Sequence, residues 1–252
     1  MNFTVRYFDS IDSTNTEALK QARTGADEGL CILARQQTAG RGRQGRIWTS
    51  PQDAGLYLSI VLRPRLDAKH LPLITLAAAV AVFDTLAQIG IEADIKWPND
   101  ILVNEKKICG ILAETSETER GFAVIVGVGI NLTSQNFPSE LTDTATSLES
   151  VLLRPVAFSE IRQPLLNFFD HWYSHLHEVD GASTIVDKWA SRSTYFRGKQ
   201  VRVTLTNETI IGVTDGLEPN GALRVRCDND ELTIVNAGDV DRVRSEVRIE
   251  KG

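Results

Sequence analysis

The feature that most limits what this chain can fold into is a polar stretch, residues 36–51, set between two apolar ones. Residues 30–35 before it and 55–63 after it have the length and branched apolar composition of buried strands. The stretch between them lacks apolar periodicity, and loops of that length inside a compact domain are usually functional or disordered. The segments downstream complete a sheet. Residues 72–89 predict a helix buried on most sides, and residues 91–96, 101–103, 108–114 and 122–130 read as successive strands. Upstream, alternation at Phe3, Val5 and Tyr7 predicts an opening strand, and Thr14-Asn15-Thr16-Glu17 matches a helix capping box ahead of Ala18 and Leu19.

Helical signals return at residues 158–179, where Pro164 can kink or delimit the segment, and at 183–190. From Lys199 the texture changes. Short β-rich runs at 201–206, 209–215, 223–227 and 232–235 are separated by turn clusters such as Glu218-Pro219-Asn220-Gly221 and Asp228-Asn229-Asp230, which predicts a small barrel and a boundary near residue 192.

Composition narrows the function classes. The 252 residues carry 27 Lys+Arg against 33 Asp+Glu, a net charge of −6, which argues against general nucleic-acid affinity. Residues 192–252 hold 10 of each sign, so the tail is no basic arm. Cys31, Cys109 and Cys227 are odd in number and widely spaced, which disfavours a disulfide framework or a zinc site. The start lacks a secretory pattern, and the uncharged run 71–83 is short for a bilayer span, so the expectation is a cytoplasmic protein with no membrane partner.

Within the polar stretch, Gly40-Arg41-Gly42-Arg43-Gln44-Gly45-Arg46 alternates glycine with arginine. Glycine lets main-chain N–H groups approach a ligand, and guanidinium forks match carboxylate and phosphate oxygens. The literal GxGxxG pattern fails as a dinucleotide fingerprint because Arg46-Ile47-Trp48-Thr49-Ser50-Pro51 opens no helix; a solvated basic loop is the alternative. In Lys96-Trp97-Pro98-Asn99-Asp100 a strand ends in a lysine able to point into a cleft, and Asp100 beside Asn99 offers hard oxygen ligands suited to magnesium; an ordinary charged turn is the alternative. Lys106-Lys107 opens a strand as a second phosphate contact or as a charged strand entry. Gly127-Val128-Gly129-Ile130-Asn131 ends one with room for a ligand and an amide able to pair with an adenine edge, or simply with a bulge and a turn. Ser13-Thr14-Asn15 clusters donors and acceptors at a helix start, where capping explains one of the three. Walker A, HExxH, GxSxG and CxxC patterns do not occur, and His171 and His175, four apart, read as a surface helix face.

In this order the motifs resemble those of the biotin protein ligases: Ser13-Thr14-Asn15, Gln37 with the arginine–glycine loop, Gly55-Leu56-Tyr57-Leu58-Ser59, Lys96-Trp97-Pro98-Asn99-Asp100, Lys107 with Gly110-Ile111-Leu112 and Glu114, and residues 127–131. The likeness is strong over residues 5–135 and weaker beyond. Lipoate ligases share the fold in outline, but they are not expected to carry both the arginine–glycine loop and the Lys-Trp-Pro-Asn-Asp turn. The resemblance implies an α+β fold, a central mixed sheet flanked by helices of the class II synthetase-like kind, over residues 1–191, with a small C-terminal SH3-like β-barrel over 192–252. It implies an enzyme that activates biotin with ATP as biotinyl-5'-AMP and transfers the biotinyl group to a lysine of a biotin carboxyl carrier domain of a biotin-dependent carboxylase.

By the same resemblance Ser13, Thr14, Asn15 and Gln37 would satisfy the ureido ring, while Arg41, Gly42 and Arg43 would cover the biotin carboxylate and the adenylate phosphate. Lys96 and Arg43 would be catalytic at the carboxylate–phosphate junction. Trp48, Asn99, Asp100, Lys107 and Asn131 would serve the nucleotide, with Asp100 helping to place Mg2+. Gln44 stands where many relatives carry a third consecutive basic residue. Because the ligase pattern starts at about residue 3, the expectation is a monofunctional ligase without an N-terminal DNA-binding domain and with no nucleic-acid partner; a homodimer is left open. The rival readings are a regulator that binds biotinyl-AMP without transferring it, and a lipoate or octanoate ligase.

Overall fold

The computed structural model describes residues 1–242 except 136, 206, 207 and 229. Thr206 of the predicted run 201–206, Asn229 of the predicted turn cluster and residues 243–252 of the expected C-terminal barrel lie outside the described residues.

Seven strands form the larger sheet: β1 (Thr4–Phe8), β2 (Leu30–Ala34), β3 (Gly55–Leu62), β4 (Asp94–Lys96), β5 (Asp100–Val103), β6 (Lys106–Thr118) and β7 (Gly121–Asn131), in the order β1-β2-β3-β7-β6-β5-β4. β1 and β2 run parallel and the other ladders are antiparallel, so the sheet is mixed. Period-2 alternation divides its residues between two unequal faces. One face, with Leu56, Leu58, Ile60, Val126, Val128 and Ile130, packs on α2 (Pro72–Gln88), α4 (Phe158–His175) and α5 (Gly181–Ala190) in the main core. Each fully buried Leu, Ile or Val there contributes about 1.5–3 kcal/mol relative to exposure. On the other face α1 (Thr14–Arg23) seats Ala18 and Ala22 on Leu30, Ile32, Val61, Ala123 and Ile125. Continuing along the same face in register come Ser59, Tyr57 and Gly55 on β3 and Gly127, Gly129 and Asn131 on β7. Where α1 stops, the face turns small and polar, and that strip floors a cleft.

The helical segment Ala68–Gln88 spans 21 residues at mean hydropathy 1.7, so by length and composition alone it exceeds the short uncharged run read from the sequence. It is mostly buried as the central core helix, with Leu73, Ile74, Val80 and Leu86 fully enclosed. Pro164 lies inside α4 without ending it, and the strand expected over 91–96 is confined to Asp94–Lys96.

The capping box does not form. Ser13 is the N-cap without a side-chain bond, and Thr14, already helical, turns its N–H and hydroxyl to Gln37 instead. The polar stretch is folded: Gln37 bridges Ile11 and Ser50, Arg41 pairs with Ile47, and the Gly42 N–H donates to the Arg46 carbonyl at 2.7 Å.

A second, antiparallel sheet contains β8 (Arg197–Thr204), β9 (Thr209–Leu217), β10 (Leu223–Cys227), β11 (Leu232–Val235) and β12 (Asp239–Arg242), ordered β11-β10-β9-β8-β12. Among the described residues no ladder joins its two outer strands. It is fastened to β4 and the turn after it: the Ile95 N–H donates to the Arg192 carbonyl at 3.1 Å, and the Trp97 indole N–H donates to the Gly221 carbonyl at 2.9 Å.

All three cysteines are free, and Cys31 and Cys109 are completely enclosed. Burial pushes the Cys31 thiol up to about 12 and raises that of Cys109 as well. Only the thiolate attacks a disulfide reagent, so at pH 8 the folded protein should titrate fast for Cys227 alone and for all three after denaturation. Three equivalents released at one rate from folded protein would contradict this burial.

Candidate active site

The cleft has a volume of about 580 Å³, within the range of small-molecule sites. Its floor is the strip on β3, β6 and β7; its rim is the start of α1, the arginine–glycine loop, the β4–β5 turn and the beginning of β12.

One end is a closed network of neutral polar groups. The Thr14 N–H and hydroxyl both donate to Gln37 Oε1, at 2.8 and 3.0 Å; Gln37 Nε2 donates to Ser50 Oγ at 2.8 Å, and Ser50 Oγ to the Trp48 carbonyl at 2.9 Å. Beneath them the Ser59 hydroxyl, wholly buried, lies 2.8 Å from Thr14 Oγ1 and 2.6 Å from Asn15 Oδ1. Asn15 Nδ2 donates to Glu114 Oε2 at 2.8 Å. The predicted quartet Ser13, Thr14, Asn15 and Gln37 is therefore brought together. Asn15 faces inward with oxygen and nitrogen both engaged, so it shapes the wall. A Cβ on Gly127 would fall 2.1 Å from Asn15 Oδ1, which is why the strand carries glycine there.

The other end is cationic, and most of its cations have a carboxylate from another element. Arg41 Nη2 meets Glu114 Oε1 at 2.5 Å, Arg46 Nη2 meets Asp239 Oδ2 at 2.5 Å, Lys107 Nζ meets Asp100 Oδ1 at 2.6 Å, and Lys96 Nζ meets Asp241 Oδ1 at 3.5 Å. Arg43 instead donates to the Gly238 carbonyl at 3.2 Å and to Asn99 Oδ1 at 3.4 Å, while Asn99 Nδ2 holds the Ile111 carbonyl at 2.6 Å. Burial lowers the Arg43 guanidinium from its ordinary value; Asp239 and Asp100 oppose that shift and the like charge of Arg46 adds to it. Arginine stays protonated regardless, so a partly desolvated cation at this point favours an anion beside it.

Trp48 lies against the glycines of the floor. A Cβ on Gly129 would come 2.5 Å from its Nε1 and one on Gly110 would come 3.0 Å from its Cζ3, while Lys107 Nζ stands 5.4 Å from the ring centre. Asn131 donates to the Thr146 carbonyl at 2.9 Å and the Lys107 carbonyl at 3.5 Å, so its amide hydrogens pin residues 144–146 beside β6. Gly42 uses its N–H to close the loop's own turn. Asp100 is the carboxylate best placed for a metal, but its Oδ1 carries Lys107, and among the described residues no group of three or more metal-ligating side chains assembles.

Sequence reasoning gave no role to Ser59, Asp239, Asp241 or the stretch that includes Phe137, Leu141 and Ala145, all at or beneath the cleft. A lone serine in an otherwise apolar strand was a readable signal for Ser59. The acidic pair on β12 resembles any charged edge strand.

Residues 7–131 match the profile of the biotin/lipoate A/B protein ligase family and residues 196–243 that of the biotin protein ligase C-terminal domain. The chain belongs to the biotin protein ligase family. It is 39% identical to the bifunctional ligase/repressor BirA of Bacillus spizizenii over 86% of this chain and 67% of that protein. To the biotin--[acetyl-CoA-carboxylase] ligase of Paracoccus denitrificans it is 35% identical over 85% of this chain and 91% of that one. The structure superimposes on the biotin protein ligase of Aquifex aeolicus in complex with biotin and ATP with a TM-score of 0.83 and 28% identity, covering 96% and 99% of the two chains.

The contact between Gly129 and Trp48 is testable. Gly129→Ala should cost about 1–3 kcal/mol through overpacking, measured by urea unfolding. The same substitution in a Trp48→Ala background should cost much less. Equal costs in both backgrounds would mean that the indole does not set the limit on Cβ.

Proposed function

We propose that this chain is an ATP-dependent biotin protein ligase that makes biotinyl-5'-AMP and passes the biotinyl group to a lysine of a carboxylase's biotin carrier domain. One observation carries the reading: a single cleft joins a neutral donor–acceptor end, at Ser13, Thr14 and Gln37, to a cationic end at Arg41, Arg43, Lys96 and Lys107. A ureido ring needs both donors and acceptors. A carboxylate that attacks a phosphate needs cations, because two unit charges at 4 Å repel by about 4 kcal/mol at an effective dielectric near 20.

In the first step a biotin carboxylate oxygen bonds to the α-phosphorus of ATP and the bond to pyrophosphate breaks. In the second a lysine amine attacks the acyl carbon and AMP leaves with the bonding electrons. Lys96, at the end of β4 with 18% of its side chain exposed, is assigned to the junction of carboxylate and phosphate, and Arg43 supports the charge that develops there. Lys107 and Arg41 are assigned to phosphate and carboxylate oxygens, and Trp48 to the wall between acyl chain and base. Asn99 acts through Arg43, which it holds. Asn131, with its hydrogens on the main chain, supports the adenine region by fixing residues 144–146. Mg2+ fits here as an ion that would arrive with the nucleotide, since among the described residues no three ligating side chains assemble, and phosphates would complete a shell begun by Asp100. When bound it would neutralise phosphate charge.

We place a division between a catalytic unit and a C-terminal one at 191/192, where Arg192, Ser193 and Thr194 leave α5 and bond to β4. The carrier domain is the proposed macromolecular partner; no nucleic-acid partner is proposed, and we assign the chain to the cytoplasm.

Biotin-dependent ATP–pyrophosphate exchange, run in parallel with lipoate and octanoate, followed by transfer of labelled biotin to a carrier domain, tests the reading. Exchange with a lipoyl substrate alone, or binding without exchange, would overturn it. Lys96→Ala should lower exchange roughly 30-fold to 1000-fold, equivalent to ~2–4 kcal/mol, with thermal unfolding unchanged; a loss of a few-fold removes Lys96 from the junction.

Residues 40–46 carry no apolar side chain to bind them to a core, and only polar contacts hold them, the turn from Gly42 to Arg46 and the ion pairs of Arg41 with Glu114 and Arg46 with Asp239, to which a bound anion would add. Trypsin cleavage after Arg41, Arg43 or Arg46 should therefore slow strongly when biotin and ATP are added. Identical rates with and without ligand would show that the loop does not close over the site.

A further inference from the structure

Glu114 stands out by position. It lies inside β6, directly across the ladder from Ile125, which is fully buried in the apolar cluster under α1. A carboxylate beside such neighbours loses hydration and persists only where fixed partners replace it. Each of its oxygens has its own partner: Oε1 takes Arg41 Nη2 at 2.5 Å, and Oε2 takes Asn15 Nδ2 at 2.8 Å. From Asn15 the chain of contacts runs to Ser59, then Thr14, Gln37, Ser50 and the Trp48 carbonyl. It starts at one end of the arginine–glycine loop and finishes at the other. Glu114 itself is not among the residues lining the cleft, whereas Arg41 and Asn15 are.

We infer that Glu114 is the positioning residue of the arginine–glycine loop. Its carboxylate pins one nitrogen of Arg41, leaving the remaining guanidinium donors for the ligand's acidic end. Through Asn15 it ties that arginine to the hydroxyl–amide network at the ureido end. The inference rests on the biotin ligase reading and adds to it a link between recognition of the ring and closure over the acid. An unpinned arginine must lose rotamer freedom when the ligand arrives; a pinned one has already lost it, so the pair strengthens ligand binding by preorganisation.

The test uses Glu114→Gln, Arg41→Ala and the double variant in the full chain. Glutamine keeps an acceptor for Asn15 and removes the charge that holds Arg41. Glu114→Gln should unfold within a few degrees of the wild type, raise the biotin KM about tenfold with a smaller change in kcat, and speed trypsin cleavage after Arg41 in the ligand-free protein. The double variant should match Arg41→Ala to within about twofold, because both substitutions remove one interaction. An unchanged KM with unchanged cleavage, or effects that multiply in the double variant, overturns the inference and leaves the ligase reading standing. Absence of exchange in the wild-type protein overturns both. If the glutamine variant does not fold, Glu114→Asp, which keeps the charge but withdraws it by one methylene, carries the same comparison.

Discussion

Everything at the site depends on room left on one face of the large sheet. β6 and β7 present Gly110, Gly127 and Gly129 where α1 no longer covers them, and side chains from outside the sheet enter that space. Asn15 settles over Gly127 and Trp48 over Gly129 more closely than a Cβ would allow, and Trp48 lies tight over Gly110 as well. The first contact fixes the start of α1 and the second fixes the end of the arginine–glycine loop. The main core, on the opposite face, is apolar and continuous, so the sheet is held rigid from one side while the other is left to bind.

The electrostatics arise from bringing anion-binding cations together before any anion is present. Arg41, Arg46, Lys96 and Lys107 come from three separate stretches of chain, and their carboxylates come from β5, β6 and β12. Mutual repulsion among the cations is thereby offset in the ligand-free protein. A substrate phosphate has to compete for cations that are already ordered, which trades some affinity for preorganisation. The four pairs are neutral together, so the net charge of −6 is carried elsewhere on the chain.

Much of this was legible because the signals were local. The apolar runs located the central strands, and the glycine–arginine alternation and the Lys-Trp-Pro-Asn-Asp turn located the cleft, since each is a short string whose chemistry does not depend on distant partners. What failed was partnership. Thr14 reads as a cap, whose hydroxyl would accept from a backbone N–H of its own helix, yet its hydroxyl and N–H both donate to Gln37, 23 positions on. Asn131 reads as a base reader, and what the sequence did not show is that its amide hydrogens also hold residues 144–146. Asp239 and Asp241 could not be read at all: a short acidic strand gains meaning only from the loop it meets, nearly two hundred positions earlier in the case of Arg46 and Asp239.

That long-range contact bears on how the two sheets relate. If the second sheet were a loosely tethered appendage, its contacts with the first would be polar and exposed. Instead the Trp97 indole is buried and donates to Gly221, and a Cβ on Gly221 would come 2.9 Å from Leu76 of α2. The end of β4 thus has its lysine in the cleft, and the turn that follows has its tryptophan locked under the second sheet at the next position. Side chains alternate along β4, so the buried Ile95 and its neighbour Lys96 point to opposite sides, and Trp97 opens the turn that follows. The second sheet reaches this lysine from two sides, through Trp97, whose indole it holds at Gly221, and through Asp241, which pairs with the ammonium at the cleft rim.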